Sequence, residues 1–321
     1  MKILLTGGAG FIGSCLLRML NDSGIDDVVV VDNIASTRKW MYLSNKRYTE
    51  YIHKDSLWER LPELEALTHV IHMGACSNTA EENFDYLYYN NYEFSKKLFR
   101  YCTEHNTSLI YASSAATYGS GDKGFSDSND INSLLPLNGY GYSKQMFDVW
   151  VERQSTQPKQ CVGLKFFNVY GPNEYHKGSM ASVVYHGYKQ AIEQGSIKLF
   201  KSYNPRFADG AQLRDFVYVK DICKVIKFFI EHTDVSGLFN VGTGCAESFE
   251  TLGISVFKAL GLQSNIEYIP MPESLRGMYQ YYTEASVYKL RKVGYEEPFH
   301  PLEQGVADYV CNYLDDGFKI W

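Results

Sequence analysis

A tyrosine and a lysine four residues apart are the pair in this sequence best suited to acid–base chemistry. In the run Tyr140-Gly141-Tyr142-Ser143-Lys144, Tyr140 and Lys144 would lie on one face of a helix. A free tyrosine titrates near pH ~10, so it acts as a base at neutral pH only when a nearby positive charge stabilises its phenolate. The spacing therefore predicts a tyrosine base assisted by a lysine ammonium group.

A serine at the end of a strand-like run is predicted to complete this catalytic group. The run from Leu109 ends in Ser113-Ser114, 26 residues before Tyr140. A hydroxyl at the end of a neighbouring strand is well placed to hydrogen-bond the reacting hydroxyl of a substrate. We choose Ser114 for this role, beside Tyr140 and Lys144.

A glycine-rich turn near the start of the chain predicts where a cofactor binds. Gly7, Gly10 and Gly13 follow the apolar run Ile3-Leu4-Leu5 and precede an apolar, helix-like stretch. Glycines at such a strand-to-helix turn let the backbone approach a pyrophosphate, whose charge the helix N-terminus attracts. The sequence therefore indicates a dinucleotide-binding enzyme with a base beside the cofactor.

The residues after the second predicted strand bear on the choice of dinucleotide. Asp32 lies 19 residues past Gly13, and an acid there usually holds the ribose 2′-hydroxyl of NAD. Arg38, Lys39 and Lys54 lie nearby and could instead reach the 2′-phosphate of NADP, or form a solvated rim. The residues alone leave NAD and NADP open.

Short β-branched runs alternate with helical stretches and predict the fold class α/β. We expect a Rossmann-type doubly wound parallel sheet with a smaller α/β substrate-binding lobe. The dinucleotide-binding domain is predicted to span 1–168 with later strands near 214–219 and 238–241, and the substrate lobe mainly 169–321, interleaved with it. The predicted strands are 2–6, 27–32, 50–53, 68–73, 108–112 and 161–167, and the predicted helices are 11–23, 57–65, 83–105, 140–155 and 179–194.

The composition argues against several classes of protein. The 321 residues carry a net charge of -6, which gives no basic footprint for nucleic acid. No apolar run approaches the roughly 20 residues of a membrane helix, and a strand that begins at Lys2 leaves no room for a signal peptide. Seven scattered cysteines without a C-x-x-C pair are typical of reduced thiols. We expect a cytoplasmic protein with no metal site and no nucleic-acid or membrane partner.

These elements together resemble the extended short-chain dehydrogenase/reductases that modify nucleotide sugars. Within that group the chain resembles the ADP-L-glycero-D-manno-heptose 6-epimerases of the NAD-dependent epimerase/dehydratase family, from Met1 to about Leu314. The most specific segment is His176-Lys177-Gly178-Ser179-Met180-Ala181-Ser182. Other matching segments are Gly74-Ala75-Cys76-Ser77, 90–96, 111–119, Phe167-Asn168-Val169-Tyr170-Gly171-Pro172, 214–219 and 239–244.

The resemblance implies a redox-neutral epimerisation of ADP-D-glycero-β-D-manno-heptose and ADP-L-glycero-β-D-manno-heptose. C6 is oxidised to a ketone and then reduced on its opposite face, which supplies the heptose of the lipopolysaccharide inner core. The resemblance further implies a homo-oligomer and a second base, Lys177, whose alternative role is that of a diphosphate-binding or surface cation. It favours tightly bound NADP, with NAD as the alternative, because Lys39 and Lys54 match basic positions of the family.

The family's binding residues carry over position by position. The residues that would touch the cofactor are Gly7, Gly10, Phe11, Ile12, Gly13, Asp32, Asn33, Lys39, Lys54, Ala75, Cys76, Ser77, Asn90, Lys144 and Val169. The residues that would touch the ADP-sugar are Asn168, Ser179, His186, Phe200, Arg214 and Tyr279. Of these, Arg214 suits a diphosphate because a guanidinium binds it through two parallel hydrogen bonds, whereas His186 alone would be an ordinary helix histidine. The loop 201–213 is longer than usual for the family; we expect it to line the sugar pocket, and Arg206 either reaches that pocket or is solvated.

Three other functions compete with this hypothesis. A UDP-hexose 4-epimerase would keep Tyr140, Lys144 and the serine but has no evident need for Lys177. A sugar 4,6-dehydratase would carry an Asp-Glu pair where this sequence has Ala115-Ala116, and elimination of water needs that general acid. A regulator that senses a dinucleotide without turnover would lack the tyrosine or the lysine, and both are present.

Overall fold

A parallel seven-stranded sheet forms the centre of the computed structural model, which describes residues 1–277 and 279–321. The strands are β1 (Ile3–Thr6), β2 (Val28–Asp32), β3 (Glu50–His53), β4 (His69–His72), β5 (Ser108–Ser114), β6 (Gln160–Phe166), β7 (Asn168–Tyr170), β8 (Ile197–Phe200), β9 (Leu213–Arg214), β10 (Phe216–Tyr218), β11 (Gly237–Val241), β12 (Glu247–Ser248) and β13 (Ile266–Ile269). The α-helices are α1 (Phe11–Asp22), α2 (Leu57–Arg60), α3 (Phe84–Leu87), α4 (Phe94–Glu104), α5 (Gly139–Glu152), α6 (Val183–Gln194), α7 (Val219–Glu231), α8 (Phe249–Ala259), α9 (Glu273–Arg276), α10 (Tyr288–Lys292) and α11 (Leu302–Tyr309).

The strand order places a crevice beside the first strand. The large sheet runs β11-β6-β5-β4-β1-β2-β3, and all of its neighbouring strands are parallel. The order reverses between β1 and β4, and ligands of such sheets bind beyond the carboxyl ends of the strands at that reversal. The glycine turn follows β1, so it lies at this place.

Alternate residues of the central strands pack on opposite faces of the sheet, as the two-residue period of a strand requires. Ile3 and Leu5 belong to the core layer that contains the buried side chains of α1 and α7, whereas Leu4 belongs to the layer with those of α4. Both faces are therefore covered by helices. The predicted α/β fold with a parallel, doubly wound sheet is confirmed.

The second half of the chain adds two-stranded sheets around the open edge of the crevice. β7 pairs with β10 and β8 with β13 in parallel, and β9 pairs with β12 antiparallel. β11 joins the large sheet beside β6, close to the predicted 238–241. The prediction that 214–219 also extends this sheet is wrong, because β11 occupies the free edge of β6 and Phe216–Tyr218 pairs with β7 instead.

Two predicted helices are shorter than their patterns indicated. The helix predicted over 57–65 ends at Arg60 and continues as a 3-10 turn, Leu61–Glu63, where Pro62 removes a backbone donor. The helix predicted over 179–194 begins at Val183, since Gly178 has φ 55° and Ser182 caps the helix by accepting the N–H of Tyr185. A 3-10 turn, Tyr175–Met180, precedes it. In the described part of the chain, no helix is long and apolar enough to cross a bilayer.

Candidate active site

A cavity of about 760 Å³ lies beyond the carboxyl ends of β1, β4 and β5. A smaller cavity of about 160 Å³ shares Gly7, Asp32, Lys39, Gly74 and Ala75 with it. The larger volume is that of a typical ligand site. The predicted residues that line the larger cavity are Gly7, Gly10, Phe11, Ile12, Gly13, Asp32, Lys39, Ala75, Ser77, Ser114, Tyr140, Lys144, Asn168, Val169, Lys177, Arg214 and Tyr279. Asn33, Lys54 and Asn90 line the smaller cavity.

The glycine turn forms a cradle that side chains would fill. Gly7 has φ +69°, and a Cβ on it would lie 2.6 Å from the backbone nitrogen of Gly74. A Cβ on Gly13 would lie 2.1 Å from the carbonyl oxygen of Gly7. Helix α1 begins directly after Gly10, and no side chain caps its N-terminus. The first N–H groups of the helix therefore remain available to a ligand. These features fit the pyrophosphate of a dinucleotide.

A substitution at Gly13 tests this cradle. Because the new methyl group would overlap the Gly7 carbonyl, we expect Gly13→Ala to displace the turn and to lower the cofactor content of the purified protein about tenfold or more. Release of the cofactor by denaturation and its quantification by chromatography measure this. Gly277→Ala is the matched control, since a Cβ there meets no atom within 4 Å. Equal cofactor content in both variants would contradict the assignment.

Asp32 binds the backbone of the glycine turn and forms an ion pair with a lysine. Its Oδ2 accepts the N–H of Ala9 at 2.9 Å, and its Oδ1 accepts the ammonium group of Lys39 at 2.7 Å. Lys54 donates to Oδ1 of Asn90 at 2.9 Å across the smaller cavity. One lysine thus pairs with the carboxylate that usually selects NAD, and a second lysine lines the same small cavity.

Tyr140 and Lys144 lie on the first turns of α5, as their spacing predicted. The Asn138 side chain accepts the N–H of Gly141 at 2.8 Å and fixes where the helix begins. Lys144 is 5% exposed and donates to the carbonyl oxygen of Ala112 at 3.1 Å. Tyr140, Lys144 and Ser114 line one cavity, which brings the three predicted catalytic residues together.

Burial acts on both titratable members of this group. It raises the pKa of Tyr140 above its usual value, and the hydrogen bond with Ser114 opposes that rise. It lowers the pKa of Lys144 to about 8, whereas the charge of Asp148 raises it. Lys144 therefore stays mostly protonated at neutral pH. Its positive charge, together with that of an oxidised nicotinamide, is what would make the Tyr140 phenolate accessible.

A buried ion pair that lies one helical turn after Lys144 was not predicted from the sequence. Oδ2 of Asp148 accepts the ammonium group of Lys165 at 2.9 Å and the hydroxyl of Ser113 at 2.7 Å. Both charged side chains are at most 2% exposed. Asp148 lies four residues after Lys144, so the helical spacing that identified Tyr140 and Lys144 extends one turn further. That spacing could have placed Asp148 on the same helix face as Tyr140 and Lys144.

A second unpredicted residue, Asn91, joins the Ala75–Ser77 segment to the tyrosine helix. Its side chain accepts the N–H of Cys76 at 2.8 Å and donates to the Cys76 carbonyl oxygen at 3.0 Å. It also donates to Oγ of Ser143 at 3.0 Å, and Ser143 donates to the Tyr140 carbonyl oxygen at 2.7 Å. The Cys76 thiol itself is not among the groups that line either cavity.

Lys177 reaches the same cavity from the Tyr175–Met180 turn. Its ammonium nitrogen lies 5.4 Å from the centre of the Phe11 ring on α1. Burial lowers the pKa of Lys177, and the charge of Glu174 opposes this. Lys177 and Tyr140, two groups able to exchange a proton, therefore line one cavity from separate elements.

Arg214 is a buried cation in the substrate part of the cavity. It is 6% exposed, and its guanidinium carbon lies 5.1 Å from the Tyr279 ring centre and 5.5 Å from the Phe249 ring centre. A buried guanidinium of this kind suits a bidentate diphosphate ligand. Phe249 was not predicted, and its aromatic type at the start of α8 gave no distinguishing signal.

Three residues predicted to touch the sugar nucleotide do not line the cavity. Ser179 is exposed on the Tyr175–Met180 turn. His186 is half-buried on α6 with its ring packed against Tyr185. Phe200 ends β8, and its ring centre lies 6.4 Å from that of Tyr279, which does line the cavity.

The long loop 201–213 lies outside the cavity. All of its residues are described, and none lines either cavity. Phe207 packs on Tyr281 with ring centres 5.7 Å apart, and the Arg276 guanidinium lies 3.8 Å from the Tyr203 ring centre. The expectation that this loop lines the sugar pocket is therefore not met, and Arg206 is exposed. The loop instead packs against Arg276 and Tyr281, which lie on either side of Tyr279 in the sequence.

Comparison with known proteins places these features in a family. The model of the NAD dependent epimerase/dehydratase family matches residues 3–242. The chain belongs to this family. It is 49% identical over 324 residues to the ADP-L-glycero-D-manno-heptose-6-epimerase of Fusobacterium nucleatum subsp. nucleatum, a match that covers 97% of this chain and 98% of the relative. Identity to the protein of the same name from Nitratidesulfovibrio vulgaris is 48% over 318 residues, with 97% of each chain covered.

A solved structure agrees with these sequence relatives. The crystal structure of the Helicobacter pylori ADP-L-glycero-D-manno-heptose-6-epimerase has a TM-score of 0.80 to this member of the family, at 28% identity and with 97% and 95% of the two chains covered. The resemblance stated from the sequence motifs is confirmed. With it, the chain is established as an epimerase of a family that uses a nicotinamide cofactor.

Proposed function

We propose that this chain epimerises ADP-D-glycero-β-D-manno-heptose and ADP-L-glycero-β-D-manno-heptose at C6, for the heptose of the lipopolysaccharide inner core. The observation that carries the proposal is the presence of Tyr140 and Lys177 on one cavity with the buried cation Arg214. In the proposed reaction C6 presents opposite faces to the cofactor in turn, and Tyr140 and Lys177 each serve one of the two orientations of the sugar. The named relatives support the choice of sugar.

The residues divide the reaction into two halves. Bound NADP would supply the redox chemistry, since its nicotinamide accepts a hydride from C6 and later returns it. In one half, the Tyr140 phenolate takes the O6 proton as the hydride leaves C6, and Ser114 donates a hydrogen bond to O6 of the forming ketone. Lys144 stabilises the phenolate by its charge.

The second half reverses the redox change on the opposite face. After the ketone turns in the cavity, hydride returns to C6 while the Lys177 ammonium group gives a proton to O6. Arg214 would hold the diphosphate during this turn, because a buried guanidinium gains more from a doubly hydrogen-bonded anion than an exposed one does. The net reaction inverts C6 and leaves the cofactor unchanged, and proton exchange with solvent returns Tyr140 to the phenolate and Lys177 to the ammonium form.

The same residues weigh against the competing enzymes. Ala115 and Ala116 line the cavity after Ser114, so these positions present methyl groups and no general acid for elimination of water. A UDP-hexose 4-epimerase would leave Lys177 without a task. The heptose reaction gives Tyr140, Lys144 and Lys177 each a role.

We further propose NADP as the cofactor, and Lys39 provides the test. Lys39→Ala removes a cation from the site and frees Asp32 to bind a ribose 2′-hydroxyl. We expect the ratio of the dissociation constants for NADP and NAD to shift about tenfold towards NAD, as roughly 1.4 kcal/mol of lost charge pairing gives. Titration of cofactor-free protein measures both constants.

Arg38→Ala is the matched control for this titration. Arg38 lies beside Lys39 in the same turn, is exposed and lines neither cavity. Its removal should leave the ratio unchanged. If Lys39→Ala also leaves it unchanged, Lys39 does not select the cofactor.

Proton NMR tests the reaction itself. Purified protein is mixed with ADP-D-glycero-β-D-manno-heptose without added cofactor. Appearance of the L-glycero isomer supports the proposed function and shows that cofactor co-purifies. Absence of conversion after separate addition of NADP and NAD would refute it, and conversion of a UDP-hexose would then identify the 4-epimerase.

A further inference from the structure

Glu174 is a buried carboxylate that the catalytic scheme above does not use. It lies three residues before Lys177 and is 1% exposed. Its Oε1 accepts the hydroxyl of Ser182 at 2.6 Å and the N–H of Gly171 at 3.3 Å, and its Oε2 accepts the Ser182 N–H at 2.6 Å. One side chain thus joins the two ends of the segment 171–182.

Lys177 lies in the middle of the segment that Glu174 closes. The N–H of Lys177 donates to the carbonyl oxygen of Glu174 at 2.9 Å, so main chain and side chain of one residue both shape the turn. Ser182 in turn caps α6 by accepting the Tyr185 N–H at 3.2 Å. Movement of the carboxylate would therefore disturb both the turn and the start of α6.

The charge of Glu174 also acts on Lys177. Burial raises the pKa of Glu174, while hydrogen bonds from Ser182 and the charge of Lys177 lower it. Burial lowers the pKa of Lys177, and Glu174 opposes that change. The two residues thus favour each other's charged form.

Other titratable groups face this pair from several elements. His176 stays neutral at physiological pH, since burial lowers its pKa to about 4. The groups near Glu174 and Lys177 from other elements are Cys15 of α1, Tyr42 of the 38–43 turn, Tyr309 of α11, and, on the shared cavity, Tyr140, Lys144 and Arg214. Among these, Tyr309 has its pKa raised by burial and then by the charge of Glu174.

We propose that Glu174 is a positioning residue for Lys177: its carboxylate closes the segment 171–182 and supplies a negative charge that acts on the Lys177 ammonium group. The inference rests on the proposed function, because it gives Glu174 a role through Lys177. It needs no contact between Glu174 and the substrate, and Glu174 is absent from the cavity lining.

The test compares three variants over a range of pH. Glu174→Gln keeps the size of the side chain and removes its charge, Glu174→Asp keeps the charge and shortens the side chain, and Ser182→Ala removes one hydrogen-bond donor to Glu174. The rate of epimerisation is measured as kcat against pH. The proton affinity of Lys177 is measured independently, from the pH dependence of its acetylation rate by mass spectrometry of the peptide that contains it.

We expect Glu174→Gln to lower kcat on the order of tenfold to a hundredfold, as misplacement of a reacting group does. Loss of the anion disfavours the ammonium form, so the pKa of Lys177 falls, and both its acetylation profile and the matching limb of the kcat profile move to lower pH. Glu174→Asp restores the wild-type position of that limb. Ser182→Ala lowers kcat without moving it.

The outcomes separate this inference from the proposed function. If the wild type epimerises the heptose while Glu174→Gln keeps the wild-type kcat profile and Lys177 acetylation profile, the role of Glu174 is wrong and the function stands. If the wild type does not epimerise the heptose, the function fails, and the acetylation profiles still decide whether Glu174 acts on Lys177. If Glu174→Gln does not fold, wild-type kcat in both Glu174→Asp and Ser182→Ala overturns the inference, and a lowered kcat in both supports it.

Discussion

Replacement of Tyr140 by phenylalanine is expected to lower the rate of epimerisation by about two to four orders of magnitude, the usual contribution of a general base. The substitution removes one hydroxyl group, on a side chain that lines the same cavity as Ser114. Neither the glycine turn nor the Asp32–Lys39 pair contacts that hydroxyl, so the variant should fold and keep its cofactor. NMR of the sugar isomers gives the rate, and chromatography gives the cofactor content.

Tyr142→Phe is the matched control for this prediction. Tyr142 lies two residues further along α5, is 50% exposed and does not line the cavity. The same chemical change there should leave the rate within about twofold of wild type, since surface substitutions away from a site have small effects. A wild-type rate in Tyr140→Phe would sink the assignment of Tyr140 as the base.

Replacement of Lys177 by methionine has the second-largest expected effect, a loss of at least about a hundredfold in epimerisation. Methionine keeps the length and apolar stem of the side chain, and it removes the proton that Lys177 exchanges. Because Tyr140 still serves one orientation of the sugar, one of the two epimers should still reduce the bound cofactor in a single turnover. Absorbance at about 340 nm after mixing with each epimer measures this.

Lys189→Met is the control, since it makes the same chemical change at a lysine in the middle of α6. The Lys189 side chain is 43% exposed and lies 3.9 Å from Glu193. It should retain full turnover. If Lys177→Met also turns over at the wild-type rate, Lys177 is a surface or diphosphate-binding cation, and the second proton must come from another group. Loss of single-turnover reduction with both epimers would contradict the division of labour with Tyr140.

The positions of the proposed catalytic tyrosine and of the proposed cofactor turn followed from residues that are near each other in sequence. Gly7, Gly10 and Gly13 determine a strand-to-helix turn through local steric limits, and the four-residue spacing of Tyr140 and Lys144 determines a shared helix face. The alternation of short and long apolar patterns likewise predicted the strands of the large sheet to within a few residues. Each of these depends on local conformation or on a repeating pattern.

The tertiary structure alone decided features that depend on distant partners. Phe216–Tyr218 looks like a core strand, but its neighbour is β7, because β11 takes the free edge of β6. The loop 201–213 lies outside the cavity, because Phe207 and Tyr203 pack against Tyr281 and Arg276, some 70 residues later in the chain.

The charged groups around the site were also predicted only in part from the sequence. Sequence motifs named Lys144 and Lys177, whereas burial and the carboxylates Asp148 and Glu174 shift their pKa values. Desolvation depends on what surrounds a group in three dimensions, and a sequence pattern does not contain that information. The sequence thus determined which groups are proposed to do the chemistry, and the packing of the chain decided their proton affinities and the residues that hold them in place.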